Sequence, residues 1–143
     1  IMPNHLHVMI GFTKTEQTIN TLIGSSKRFL AHDILKLLHA AGEAEVLSRL
    51  RRAVGQEYRE RKKIHQVWEY SFDWKHCISE QFILQKLNYY HKNPCSGKWS
   101  LVENPVDYKH SSAMFYHSGT TGLFEITHFK NLPDMFGFPQ RHC

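Results

Sequence analysis

Long apolar runs are missing from this 143-residue chain. Nothing approaches the ~20 consecutive apolar residues that a membrane-spanning helix needs. No charged stretch followed by an apolar segment opens the chain, so a secretory signal is not expected. Cysteine is scarce: Cys77, Cys95 and Cys143 are odd in number and form no CxxC pair. That excludes a disulfide framework and suggests reduced thiols in a cytoplasm. There is no GxxxxGK[ST] phosphate loop, so ATP-driven chemistry is not expected. Internal repeats and low-complexity tracts are also missing. Acidic residues are in the minority, 13 against 18 lysines and arginines, giving a net charge of +5 and a pI near 9.2. A basic balance favours a polyanionic partner, nucleic acid first. With 41% hydrophobic residues, the chain can bury one core. A single domain over 1–143 is expected, with an irregular tail from about 130. The opening is abrupt. Ile1 leads straight into a strand pattern with no cap or turn before it, as if a larger protein had lost its N-terminal part.

Periodicity sketches the rest. Residues 1–11 alternate and read as a strand ending at Gly11. Thr13 or Thr15 can cap a following helix. In that helix Ile19, Leu22, Ile23, Phe29, Leu30, Ile34, Leu35, Leu37 and Leu38 recur at helical spacing, with a possible break at Gly24-Ser25-Ser26. Val46, Leu47, Leu50 and Val54 fit a second helix that Gly55 loosens. The basic run Arg59–Lys63 reads as a solvated end. Residues 66–74 are aromatic and partly alternating, and read as a strand. Ser79 suits an N-cap, and Glu80 the first turn, of a helix reaching about Lys92 and stopping before Pro94. Gly97 closes the turn that follows. Residues 122–128 read as a last strand.

Two segments carry chemistry. In Met2-Pro3-Asn4-His5-Leu6-His7-Val8-Met9-Ile10, His5 and His7 are two apart. On a strand they share one face, while Leu6, Val8 and Ile10 take the other. Imidazoles so placed can converge on one divalent ion. Alone the pair says little, because a chain with 11 histidines produces His-x-His by chance.

The second segment lies in the Ser79–Lys92 helix. Ile83, Leu87 and Tyr90 share its core stripe. Tyr89 and Asn93, four apart, are neighbours on the adjoining stripe. Two imidazoles and an amide oxygen can hold a hard or borderline ion and leave positions open for substrate. Such an ion polarises a phosphoryl oxygen. A tyrosine one turn from the third ligand can attack phosphorus, once its proton is removed.

These motifs resemble those of the single-tyrosine HUH (His-hydrophobic-His) transposases, which serve small insertion sequences and REP-associated elements. Met-Pro-Asn-His-Leu-His-Val is similar to the first motif of that family. Leu87-Asn88-Tyr89-Tyr90-His91-Lys92-Asn93-Pro94 is similar to its Tyr-Ile-His-x-Asn-Pro motif, with Tyr90 in place of isoleucine and Cys95 in place of valine. Trp68, Asp107-Tyr108, Ser111-Ser112-Ala113 and Tyr116 also fit the pattern, in structural roles. The resemblance implies an α+β fold: an antiparallel sheet flanked by helices, a ferredoxin-like palm, here without its first strand and helix. It implies His5, His7 and Asn93 as ligands of Mg²⁺ or Mn²⁺, and Tyr89 as the nucleophile. The activity implied is nicking and rejoining of single-stranded DNA through a 5′-phosphotyrosine. A homodimer acting on single strands or hairpins near a bacterial nucleoid is implied as well. Lys27, Arg28, Lys86, Lys92 and Lys98 flank the motifs and are the expected DNA contacts. The alternative is an inactive or domesticated module that only binds DNA hairpins.

Overall fold

The computed structural model describes residues 1–11 and 16–132. The expected caps Thr13 and Thr15, Cys143, and all but the first residues of the expected tail lie outside the described residues. The chain divides into two compact units, one formed by Ile1–Lys14 with Lys75–Cys143 and the other by Thr15–Trp74. They are called unit 1 and unit 2 below.

The described residues form helices and short 3₁₀ turns but no sheet, so the antiparallel, ferredoxin-like palm expected from the resemblance is not formed. The only pairing among them is an isolated antiparallel bridge between Met2 and His5. Its cause is local. Pro3-Asn4 is a turn dipeptide, and Met2 N–H donates to the His5 carbonyl at 2.9 Å across it. The expected strand over 1–11 is therefore bent back at its start. Residues 66–74 and 122–128 form no ladder either. A strand is stable only when a neighbour takes its alternating N–H and C=O groups, and no described segment does so. Leu6, Val8 and Ile10, expected to anchor a core face, are all exposed.

In unit 2, α1 runs Ile19–Ala40. Thr18 caps it by accepting the Thr21 N–H at 3.2 Å. The helix passes through Gly24-Ser25-Ser26 unbroken, with Ser26 Oγ donating back to the Leu22 carbonyl at 3.0 Å. Ile19, Leu22, Ile23, Ile34, Leu35 and Leu38 are half-buried, whereas Phe29 and Leu37 face solvent. The expected second helix is split in two, α2 (Ala44–Arg52) and α3 (Gln56–Glu60), with Gly55 as the N-cap of α3. Val54, between them, is only 2% exposed and is the unit's most buried side chain. Arg59 Nε and Nη2 donate to the Val54 and Arg52 carbonyls at 2.9 and 3.1 Å. This satisfies acceptors left open at the end of α2, so one arginine of the basic run is structural.

In unit 1, α4 runs Glu80–Lys92 with Ser79 as its cap, accepting the Phe82 N–H at 3.2 Å. Asn93 ends the helix in αR geometry and opens a 3₁₀ turn, Asn93–Cys95, that buries Pro94. Gly97 follows at φ +67°, a left-handed conformation that glycine adopts without strain. A short α5 covers Ala113–Ser118. Leu87, Ala113 and Phe129 are buried, and the rings of His91, Tyr116, His128 and Phe129 cluster around them. No helix among the described residues is long and apolar enough to cross a membrane.

Candidate functional site

The first eleven residues are tied down at their start. The Ile1 nitrogen donates to the His110 carbonyl at 2.8 Å, and Tyr108 Oη donates to the Ile1 carbonyl at 2.7 Å. Met2 is buried. The turn at Pro3-Asn4 then brings His5 and His7 to the C-terminal end of α4.

There the two motifs meet. The Asn93 amide nitrogen lies 3.2 Å from His5 Nε2 and 3.3 Å from His7 Nε2. An amide has two N–H groups, so it can give one to each ring. Both rings then present unprotonated Nε2 lone pairs to one point. His5 has an independent reason for that tautomer. Its Nδ1 sits 2.8 Å from Asn4 Oδ1, an atom that can only accept, so Nδ1 carries the proton. His7 is held below its ordinary pKa of 6.5, first by burial and then by the charges of His5, the N-terminal amine and Lys86. It is therefore neutral at pH 7.

Tyr89 and Tyr90 both reach His7. Tyr90 lies flat on its ring, with centroids 4.4 Å apart and an interplanar angle of 12°. Tyr89 meets it edge-on at 5.8 Å and 70°. The helical phase separates their roles. Tyr90 is half-buried beside Leu87, whereas Tyr89 is 56% exposed.

The expected DNA contacts are scattered. Lys86 is half-buried beside the Phe82 ring, at 5.2 Å, and contributes positive charge near His7. Lys92 and Lys98 are exposed, Lys98 lying 4.9 Å from the Trp99 ring. Lys27 and Arg28 belong to unit 2. Lys27 Nζ donates to the Glu69 and Ser71 carbonyls, the latter at 3.2 Å, so it ties backbone together. Arg28 is exposed, 5.1 Å from the Phe29 ring.

The residues read as structural do pack. Ser112 Oγ is 2.8 Å from His91 Nε2, Ala113 is buried, and the Tyr116 hydroxyl accepts the Phe129 N–H at 3.3 Å. Burial pushes the Tyr116 phenol up, against the opposing effect of that bond, and pushes His91 down. Sequence reading missed Asn4 as the group that orients His5, and Tyr90 as the ring that backs His7. The signal for Asn4 was its place in a Pro-Asn turn directly before His5.

Two imidazoles and one amide suit a borderline ion such as Mn²⁺ better than the all-oxygen shell that Mg²⁺ prefers. Turning the Asn93 amide by half a rotation would present Oδ1 in place of the amino group. No known protein family, curated protein or solved structure matches the chain.

Proposed function

We propose that the chain carries the site of a metal-dependent DNA strand transferase of the single-tyrosine HUH kind, acting on single-stranded DNA. One observation carries this reading: His5 Nε2, His7 Nε2 and the Asn93 amide converge within 3.3 Å, with the exposed Tyr89 against the same imidazole. His5 and His7 would hold a divalent ion through Nε2, and Asn93 through Oδ1. When bound, such an ion supplies Lewis-acid polarisation of the scissile phosphate. Asn4 keeps the His5 tautomer competent, and Tyr90 fixes the plane of the His7 ring. Tyr89 Oη attacks phosphorus, the P–O3′ bond breaks, and the departing 3′ oxygen takes up a proton. The phenol's own proton passes to solvent or base. The 5′-phosphotyrosine keeps the phosphodiester's energy, and attack by a 3′ hydroxyl reverses the step without ATP. A homodimer on single strands or hairpins belongs to the same proposal.

The test is a denaturing gel for a protein–DNA adduct, with single-stranded hairpin substrate and Mn²⁺ or Mg²⁺. Tyr89→Phe should abolish the adduct and Tyr90→Phe should leave it. Loss with Tyr90→Phe alone would show that Tyr90, and not Tyr89, is the nucleophile. The alternative, a module that only holds hairpins, is favoured by one observation: residues 1–11 have a single bridge, so no ladder stiffens the histidine pair. Binding without any adduct would select it.

A further inference from the structure

Unit 2 carries a second feature that the site above does not use. Tyr58, in α3, and Tyr70 stack with centroids 4.1 Å apart and 18° between planes. The Lys63 ammonium is 5.3 Å from the Tyr58 centroid and 4.9 Å from that of Tyr70. Two such similar distances put the ammonium beside the stack. An ion on the outer face of Tyr70 would lie about twice as far from Tyr58 as from Tyr70. Lys63 therefore does not occupy the outer face of Tyr70, and the residue is 48% exposed.

The backbone on either side of Tyr70 is also held in place. Lys27 donates to the carbonyls of Glu69 and Ser71, the residues on either side of Tyr70. The ammonium groups of Lys27 and Lys63 are close enough that the first helps depress the pKa of the second, after burial. An anion near both would relieve that repulsion. A cluster that only glued the 66–74 segment to α1 would bury its aromatic ring. This one leaves Tyr70 about half exposed, with the Lys63 ammonium beside the ring.

We infer that Tyr70 is a stacking platform for a base of single-stranded nucleic acid, with Lys63 at the flanking phosphate. A flat π-system carrying negative charge is the ligand that matches a ring face with an ammonium beside it. A duplex keeps its bases stacked on one another and cannot offer that face. The inference is independent of His5, His7 and Tyr89, which belong to unit 1.

The experiment is fluorescence anisotropy of a labelled oligothymidylate of about twelve nucleotides, within the span such surfaces cover, with the whole chain and EDTA present. Removing divalent ions separates this surface from the proposed metal chemistry, so either can fail alone. Tyr70→Phe should bind as the wild type. Tyr70→Leu, which keeps apolar bulk but loses the ring, should bind about 5- to 100-fold more weakly. Lys63→Gln should lower the log–log salt slope by about 0.7. Oligouridylate distinguishes RNA from DNA, and thymidine monophosphate distinguishes a free nucleotide from a strand. Wild-type affinity in Tyr70→Leu, or equal affinity for a duplex of the same length, overturns the inference. If Tyr70→Leu does not fold by circular dichroism, Tyr70→Trp decides. Its added indole must be quenched by the oligonucleotide beyond the quenching seen in the wild type, and no added quenching overturns the inference.

Discussion

Replacing Asn93 with alanine removes the group that hydrogen-bonds both histidines to the end of α4. The amide donates to His5 and His7 at 3.2 and 3.3 Å, in a half-buried setting. A typical hydrogen bond contributes about 0.5–1.5 kcal/mol net. These two are long and water can reach them, so the low end applies and their joint loss should cost about 1–2 kcal/mol. Backbone effects should be small. Asn93 is in αR geometry (φ −54°, ψ −43°), which alanine adopts freely, and its N–H still donates to the Tyr89 carbonyl. In a unit of this size 1 kcal/mol moves Tm by about 4–8 °C, so the unit 1 transition should fall by roughly 5–15 °C. Asn93→Asp sharpens the test. A carboxylate only accepts, so it bonds to the rings only when they carry protons on Nε2. Its imidazole partners then gain a raised pKa, and their stabilisation is present below the unfolded value near 6.5 and lost as pH rises through the folded one. Asn93→Asp should therefore match Asn93→Ala at pH 8 and recover at pH 5.5. The assay is thermal melting followed by circular dichroism at both pH values, without metal. A melting curve for Asn93→Ala within about 2 °C of the wild type, or no recovery of Asn93→Asp in acid, would refute the convergence on which the proposed site stands.

Other perturbations test the surrounding structure. Ser79→Ala removes the α4 cap and should cost about 1 kcal/mol, read as a lower midpoint in urea; an unchanged midpoint would mean that the cap contributes nothing. Lys27→Met should destabilise unit 2 by about 1–2 kcal/mol, since it breaks hydrogen bonds from a charged donor. The neighbouring exposed Arg28→Gln should stay within about 0.5 kcal/mol, and equal effects would show that Lys27 does not tie the 66–74 segment. His65 is held below its ordinary pKa of 6.5 by burial first, then by Arg51 and His39. The unfolded chain therefore binds that proton more readily than the folded one. Its contribution is intact above the unfolded value and is lost as pH falls from there toward the folded value. Tm should decline as pH falls below about 7, and His65→Gln should flatten that decline; an identical decline in the variant would place its cause elsewhere.

What the sequence made legible follows from what each signal depends on. Helices close their hydrogen bonds within one segment, so α4 was readable from Ser79, the Ile83–Leu87–Tyr90 stripe and Pro94. The same stripe assigned Tyr90 to packing and Tyr89 to the surface, as their exposures bear out. Lys27 was read as a DNA contact from its proximity to a motif, and its phase on α1 adds a structural role that this reading did not include. It shares a stripe with Ile23, Ala31 and Ile34, the inner side of α1, and there an ammonium seeks carbonyls. The pairing of His5 and His7 with Asn93 came from the resemblance. Neither spacing alone brings residues 86 and 88 positions apart to one point.

The three expected strands show the opposite limit. The strand-like patterning over 1–11, 66–74 and 122–128 is real in the sequence, but a ladder belongs to two segments at once, and such patterning describes only one. In unit 1, residues 6–11 and 124–127 both line a cleft of about 510 Å³, together with Leu87, Pro94 and Phe129. They border the same space without pairing among the described residues. Their apolar side chains are shared between that space and solvent, with Val8 56% and Phe124 50% exposed. The histidine pair thus stands on a segment fixed by its first two residues, its turn, the Tyr90 ring against His7 and Asn93, with no ladder beneath it among the described residues. The Asn93 amide therefore has a larger mechanical share here than it would on a sheet, where neighbouring strands would hold His5 and His7 in place. That is why Asn93, and not either histidine, is the residue whose removal tests the site most directly.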